Sequence, residues 1–350
     1  MKLSAVIEEL IEERDIDHAT LAAIVCEGIL AAYKKKYPDL ELKAQYDKRD
    51  DLVQVVVGKT VASVVEDDLS QLSLRKARVI NPDAELGEVV WVPFEGGIGR
   101  VEILAAKQVI AERIRKIEAA SVHAQFAGQE GSVVHGTVYK PGTAGVTVKV
   151  GETFAFLPKS LSIPEDKYIV GAPIRAILRE VLTEPKNDNQ LILDRASSDF
   201  LLRLLELEIP EIFERVVEVK KIARIPGYKS KIVVASSDPN VDPVGTCVGV
   251  AGARIKPILR ELAGEKIDVI AWTPSLEDLI AGALKPAQVE RVELIGSGAA
   301  RVWLDEDQRS LAIGKMGQNI LLASRLTGVD IQLAQRGGPE SLSSLGSQEA

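Results

Sequence analysis

Two short strings carry most of the chemistry in this chain. They are Gly249-Val250-Ala251-Gly252 and Gly314-Lys315-Met316-Gly317, each of the form G-x-x-G and each opening a stretch of apolar residues at helical spacing. Glycine at both ends of so tight a turn permits positive φ and omits the Cβ that would hold a phosphate at a distance. A helix beginning just after the turn, near Ala253 or near Gln318, aims amide N–H groups and the positive end of its dipole at that phosphate. One G-x-x-G is weak evidence, but here the whole neighbourhood is duplicated. VGVAGARIKPILRELAGEKIDVI and IGKMGQNILLASRLTGVDIQL align glycine on glycine at an offset of 65 residues, and each runs through a helical pattern to a glycine before a β-rich segment. Other chemistries have little support. Cys26 and Cys247 are the only cysteines, and His18, His123 and His135 are scattered, so neither a disulfide framework nor a zinc cluster is indicated. GGIGR at 96–100 precedes a helix but lacks the lysine-hydroxyl pair of a nucleotide phosphate loop. No cofactor or metal is expected, and no catalytic set stands out.

The elements that must position these turns are readable around them. VEVKKIARI and KIVVASSD precede the first, and VERVELIG and AARVWLD precede the second. Helix, strand, strand, helix, loop, helix, strand is the order of a bacterial-type (type II) KH domain, whose G-x-x-G loop clamps about four nucleotides of single-stranded backbone. Bases are then expected beside Ile267 and Val269 in the first domain and Val329 and Ile331 in the second. Lys220, Lys221, Arg224, Lys229 and Lys231 fall within twelve residues on the first KH sheet, and Arg254 follows its loop; all six are expected to contact RNA. Trp91, Trp272 and Trp303 lie in strand patterns and are expected to be packing residues.

Upstream, from Gly131, the period switches to two: SVVHGTVYK, GVTVKV, TFAFLP, PIRAILREV and QLILDRAS, with turns at Pro141-Gly142 and Gly151-Glu152. Five short strands predict an OB-type barrel, a common oligonucleotide platform. Phe154 and Phe156 are its candidate stacking residues, and Arg195, at the end of the last strand, is counted with the RNA contacts. The N-terminal part reads as helices and short strands. Leu3, Val6, Ile7, Leu10 and Ile11 form one apolar stripe. A helix is expected from about Thr20 to Tyr33, ending in Lys34-Lys35-Lys36. A long helix is expected from about Val101 to Phe126, with Val109, Ile110, Ile114 and Ile117 on one face, broken by GQEG at 128–131. The expected division is 1–127, a helix-and-strand N-terminal domain; 128–198, the barrel; 199–275 and 276–335, the two KH domains; and 336–350, a disordered polar tail.

Composition sets the remaining bounds. The 350 residues are 46% hydrophobic, 27% charged and 4% aromatic, values of a soluble globular protein. No apolar run approaches the ~18 residues of a membrane span, and acids occur within the first ten residues, so neither membrane nor secretion is expected. Net charge is −8, yet residues 128–198 hold eight basic and eight acidic side chains and residues 199–275 hold eleven of each. Basic surface must therefore be local, and each contact with a polyanion weak by itself.

End to end, the chain resembles the NusA family of bacterial transcription termination/antitermination factors. The resemblance is carried by AAYKKKY, by GR followed by AAKQVIAERIRKIE, by FLPKS and IP in the barrel, and by LELEIPEIFERVVEVKKIARIPGYKSKIVV, DPVGTCVGVAGARI, LAGEKIDVIAW and LAIGKMGQNILLASRLTG. It implies an RNA-polymerase-binding N-terminal domain, an S-one-type OB-fold and two KH domains, acting without catalysis on pausing, termination and antitermination. RNA polymerase, nascent single-stranded RNA and other elongation or antitermination factors are the implied partners, in the cytoplasm. Departures from the family pattern are also visible. Val250-Ala251 lacks the basic residue often found in the first loop, which leaves that clamp to Arg254 and makes the Lys315-Met316 loop the stronger one. Thr147 and Pro158 stand where S-one-type barrels carry an aromatic and a histidine, and Ile98 where an aromatic is usual. After Arg336 only GGPESLSSLGSQEA follows, in place of the C-terminal helical repeats of some members. An RNA-processing accessory subunit or a translation-associated RNA binder is the alternative reading.

Overall fold

Asp17 begins the first described element: its carboxylate accepts the Thr20 amide at 3.0 Å and caps helix α1 (His18–Lys36), which ends in three lysines suited to the C-terminal dipole. The computed structural model describes residues 17–47, 52–164, 166–186, 189–296 and 298–335. The apolar stripe from Leu3 to Ile11 and the 336–350 tail lie outside the described residues. Two compact units divide the chain, residues 1–125 and 126–350.

In the first unit, α1 is followed by β1 (Leu42–Asp47), β2 (Leu52–Ala62), β3 (Gln71–Ser73), α2 (Leu74–Ile80), β4 (Val89–Pro93) and α3 (Arg100–Phe126). The eleven-residue β2 pairs antiparallel with β1 and β4 and parallel with β3. Leu42, Val55 and Val57 form the buried face of this sheet, under Ile29, Leu30 and Tyr33 of α1. The opposite side of α1 buries Leu21, Ala22 and Ile24 against Ile114 of α3, with Ile110 and Ile117 packed beside them. Gly28 is what permits that approach, since a Cβ there would fall 2.4 Å from Ile110 Cγ1.

The second unit opens with β5 (Val133–Pro141), β6 (Gly145–Val150), β7 (Thr153–Pro158), β8 (Pro173–Lys186) and β9 (Asn189–Asp194), the five strands expected from the period-two pattern. Each has two partners, in the closed order β5-β6-β7-β9-β8, so the OB-type barrel has no free edge. Val138, Val148, Ala155, Leu157, Leu178, Leu191 and Leu193 fill its interior.

The first KH domain comprises α4 (Ser198–Glu208), α5 (Pro210–Phe213), β10 (Val217–Ile225), β11 (Lys229–Ser236), α6 (Pro243–Val248), α7 (Ile255–Glu261) and β12 (Lys266–Ala271). The second comprises α8 (Leu276–Ala283), β13 (Arg291–Ile295), β14 (Ala299–Leu304), α9 (Glu306–Ile313), α10 (Gln318–Thr327) and β15 (Asp330–Gln335). Both sheets share one topology: the first two strands are antiparallel and the third joins the second in parallel. The first sheet is covered on both faces, which is why β11 reads as the unbroken run IVV rather than an alternation. Ile232 and Val234 face their own helices in a cluster with Phe200, Leu204 and Ile258. Ala223, Val233 and Ile270 face the other way, in one core with Leu279, Ile280, Leu322 and Leu326 of the second domain. The two KH domains therefore pack as one body. Among the described residues no helix is long and apolar enough to cross a membrane.

Candidate nucleic-acid interface

Both G-x-x-G turns lie at the surface, and their backbones are near replicas. Gly249 adopts φ 72°, ψ 168° and Gly314 φ 73°, ψ 179°. The third residue of each turn is a non-glycine with positive φ, Ala251 at 51° and Met316 at 54°, and the closing glycines stand at 76° and 73°. A sequence offset has become a conformational duplicate. The tips protrude, with Val250 90% and Met316 87% exposed.

The two glycines of a turn do different work. A Cβ on Gly249 would fall 2.9 Å from Arg254 Cγ, and one on Gly314 would fall 2.7 Å from Asn319 Cβ, so the first glycine lets the chain close over the following helix. A Cβ on Gly317 would meet nothing within 4 Å, and on Gly252 only Lys256 and Ile255 side-chain atoms at 3.3 Å or more. The second glycine opens on solvent, where a ligand would sit. The amides of Gly252 and Ala253 donate to Gly249 O and Val250 O, and those of Gly317 and Gln318 to Gly314 O and Lys315 O. The expectation that the helix starts at Ala253 and Gln318 offer free N–H groups is corrected accordingly: these amides close the turn.

Arg254 also has a structural role. It is half-buried, and its Nη1 donates to Glu211 Oε2 at 2.8 Å and to Thr246 O at 3.0 Å. The residue at the same place in the second turn is Asn319, whose Nδ2 donates to Leu311 O at 3.3 Å and Ala312 O at 3.1 Å. Each side chain thus ties the helix before the turn to the helix after it. Sequence comparison of the repeats missed this brace because arginine and asparagine share no obvious chemistry. The offset of 65 was the available signal.

Three more cations expected at an RNA surface are buried, and a fourth, Lys229, has a side chain only 14% exposed. Arg224 is 8% exposed and donates from Nε and Nη2 to Glu265, itself fully buried and also accepting from Ser230 Oγ and the Gly227 amide. Lys231 is fully buried, with Asp268 Oδ2 at 2.7 Å, and burial pulls its ammonium below the usual lysine range. Lys229 shares that carboxylate at 2.6 Å. Arg195 is 3% exposed, bonded to Glu261 at 2.6 Å and Asp166 at 3.0 Å, and with Arg175 joins the barrel to α7. An isolated buried charge is expensive, so each has acquired a carboxylate partner. Such groups hold domains together and present no charge to a ligand. Lys220 and Lys221 remain exposed, Lys220 paired with Glu218 at 2.5 Å.

The apolar positions divide in the same manner. Ile267 and Val269 are half-buried against the first KH core, whereas Val329 and Ile331 are buried within the second and cannot receive bases. Trp272, expected to be packed, is 51% exposed. On the barrel, Phe154 and Phe156 are half-buried on its outer face. Phe154 packs at a ring-centroid distance of 4.8 Å and a tilt of 52° against Tyr139, an exposed aromatic that the strand pattern did not single out because a bulge displaces it. Phe156 lines a groove of about 540 Å³ with Lys140, Thr147, Pro158, Lys186 and Ile192.

Comparison with known proteins adds a separate line. Family profiles of a NusA N-terminal domain, a NusA-like first KH domain and a NusA-like second KH domain match residues 2–120, 195–272 and 276–341. Three relatives are each named transcription termination/antitermination protein NusA. That of Thermus thermophilus is 37% identical over 310 residues, covering 87% of this chain and 80% of the relative. That of Halalkalibacterium halodurans is 33% identical over 342 residues, covering 97% and 89%. That of Bacillus subtilis is 32% identical over 325 residues, covering 92% and 87%.

Proposed function

The chain belongs to the NusA family of transcription termination/antitermination proteins, and on that premise we propose that it is a non-catalytic elongation factor of the cytoplasm that holds nascent single-stranded RNA while docked on RNA polymerase. Residues 1–127 dock on the polymerase. The barrel and the two KH domains receive the transcript as it emerges and bias hairpin formation, and with it pausing, termination and antitermination. The observation that carries the reading is the pair of exposed turns, alike in backbone geometry and open to solvent at the second glycine.

Charge supports a division of labour. The barrel and first KH segments carry no net charge, and several of their cations are committed to internal carboxylates. Free protein therefore holds RNA weakly, and usable affinity comes from tethering at the polymerase, which adds roughly 10²–10⁴ in avidity. Lys315 at the exposed tip makes the second turn the stronger grip, while the first has only Val250 and Ala251 there. Two measurements test the proposal. Core RNA polymerase should be retained by immobilised protein, and a labelled twelve-nucleotide single strand should bind the free protein weakly at physiological salt but tightly when both are assembled on polymerase. Tight binding by free protein contradicts the tethering, and absence of any polymerase association contradicts the reading.

A further inference from the structure

The two turns differ in what holds their braces. In the first, Arg254 is anchored to Glu211 of α5, within its own domain. In the second, Asn319 is anchored from outside: Lys229 Nζ, on β11 of the first KH domain, donates to Asn319 Oδ1 at 3.4 Å, while Asn319 Nδ2 donates to Leu284 O as well as to the two carbonyls of α9. Asn319 is 5% exposed and Lys229 nearly buried, so the contact lies in the packed junction between the domains. Lys229 is in turn held by Asp268, at 2.6 Å, on β12. That strand is the edge of the first KH sheet and carries Ile267 and Val269 on its other face.

From this chain of contacts we infer that Lys229 and Asn319 are positioning residues for the second phosphate cradle, and that the Asp268–Lys229–Asn319 link couples the base-facing edge strand of the first KH domain to the turn Gly314–Gly317 of the second. The inference rests on the RNA-holding reading for its purpose, but its physical content is independent of RNA. The Asn319 amide group has one orientation that satisfies it: the two Nδ2 hydrogens shared among three carbonyl oxygens, and Oδ1 toward the ammonium. Losing the ammonium leaves a buried amide oxygen without its donor, which loosens the brace against Gly314, where the backbone has least room. Among the described residues the first turn has no connection of this kind to the second domain, so the coupling runs through the second cradle. A strand displaced at Asp268 by bound bases shifts the ammonium that Lys229 presents to Asn319.

The test uses the full chain without RNA. Hydrogen exchange is followed over residues 310–320 and 245–256 in wild type, Lys229→Met and Lys229→Arg. Methionine keeps the aliphatic stem and leaves Asp268 with Lys231. The expected result is exchange roughly threefold to tenfold faster at 314–319 in Lys229→Met, no change at 245–256, and restoration toward wild type in Lys229→Arg. Unchanged exchange at 314–319 overturns the inference. So does equal acceleration of both turns, which indicates general loosening, and so does failure of arginine to restore protection. Fluorescence anisotropy with the twelve-nucleotide single strand then separates the two claims. Lys229→Met should lower affinity in the wild-type background and have no effect when Met316→Asp has already disabled the second turn; equal losses in both backgrounds make Lys229 an independent contact and refute the coupling. If Met316→Asp leaves RNA affinity unchanged, the RNA-holding reading of that turn fails while the exchange result still decides the link.

Discussion

Alanine at Gly314 and alanine at Gly317 should fail in opposite ways. Gly314 stands at φ 73°, ψ 179°, a region essentially restricted to glycine and costing other residues about 1–3 kcal/mol. Its new Cβ would also fall 2.7 Å from Asn319 Cβ and 3.2 Å from Asn319 N. Those atoms belong to the first turn of α10, which is fixed by the buried Leu322, Ala323 and Leu326, so relief requires moving a packed helix. Overpacking of that kind adds about 1–3 kcal/mol, and the sum is about 2–6 kcal/mol. Gly317, at φ 73°, ψ 9°, is in the left-handed region, and its Cβ would meet nothing within 4 Å. Its cost is about 1–2 kcal/mol, all of it backbone. Urea unfolding reports both values if Trp91 and Trp272 are changed to phenylalanine, leaving Trp303 on β14 as the probe of the second KH domain. RNA affinity should show the reverse emphasis per unit of stability lost. Gly317→Ala keeps the fold and fills the space a phosphate needs, so its affinity falls about tenfold or more for a small change in stability. Wild-type affinity in Gly317→Ala would refute close approach of the ligand at that glycine. Equal stability losses at the two positions would refute the steric distinction between them.

Further outcomes follow from the same geometry. Arg224→Met strands the fully buried Glu265 carboxylate without its guanidinium and should cost about 3–5 kcal/mol in urea unfolding; a loss under 1 kcal/mol would mean that Ser230 and the Gly227 amide suffice. Lys315→Gln should reduce RNA affinity and lower the magnitude of the log Kd against log salt slope by about 0.7, as for one phosphate contact on a single strand. Lys231→Gln should leave that slope unchanged, and a change would return Lys231 to the ligand surface. Burial pushes the Cys247 thiol up to about 11, from 9.0 for the free group. The folded state therefore favours the neutral thiol, and its contribution to stability is complete below pH 9 and lost as pH rises through 11. Cys247→Ala should flatten that part of the stability profile, and iodoacetamide at pH 8 should modify the partly exposed Cys26 well before Cys247.

Local pattern was enough for much of this molecule. Period-two alternation located all five barrel strands, because a closed sheet with a filled interior sets alternate residues of most strands inward; β9, buried along nearly its whole length, is the exception. Apolar spacing located α1 and α3, and the duplicated G-x-x-G strings located both turns, since a backbone at φ near +73° with a helix pressed against it leaves glycine little competition. The destination of charge was not legible in that way. Lys229, Lys231 and Arg224 read as solvent-facing cations when β10 and β11 are taken alone, although the register Arg224↔Ser230 sets Arg224 on the face opposite Lys229 and Lys231. Docking of the second KH domain covers the Lys229–Lys231–Val233 side, and Glu265, forty-one residues along the chain from Arg224, neutralises the other. Arg195 is hidden for the same reason, its partner Glu261 being distant in sequence and near only after folding; Arg254 meets its distant partner Glu211 in the same way while its side chain stays 36% exposed. Periodicity is a property of neighbours along the chain, whereas the environment of an ion is a sum over everything near it in space, and that sum exists only once the domains have packed.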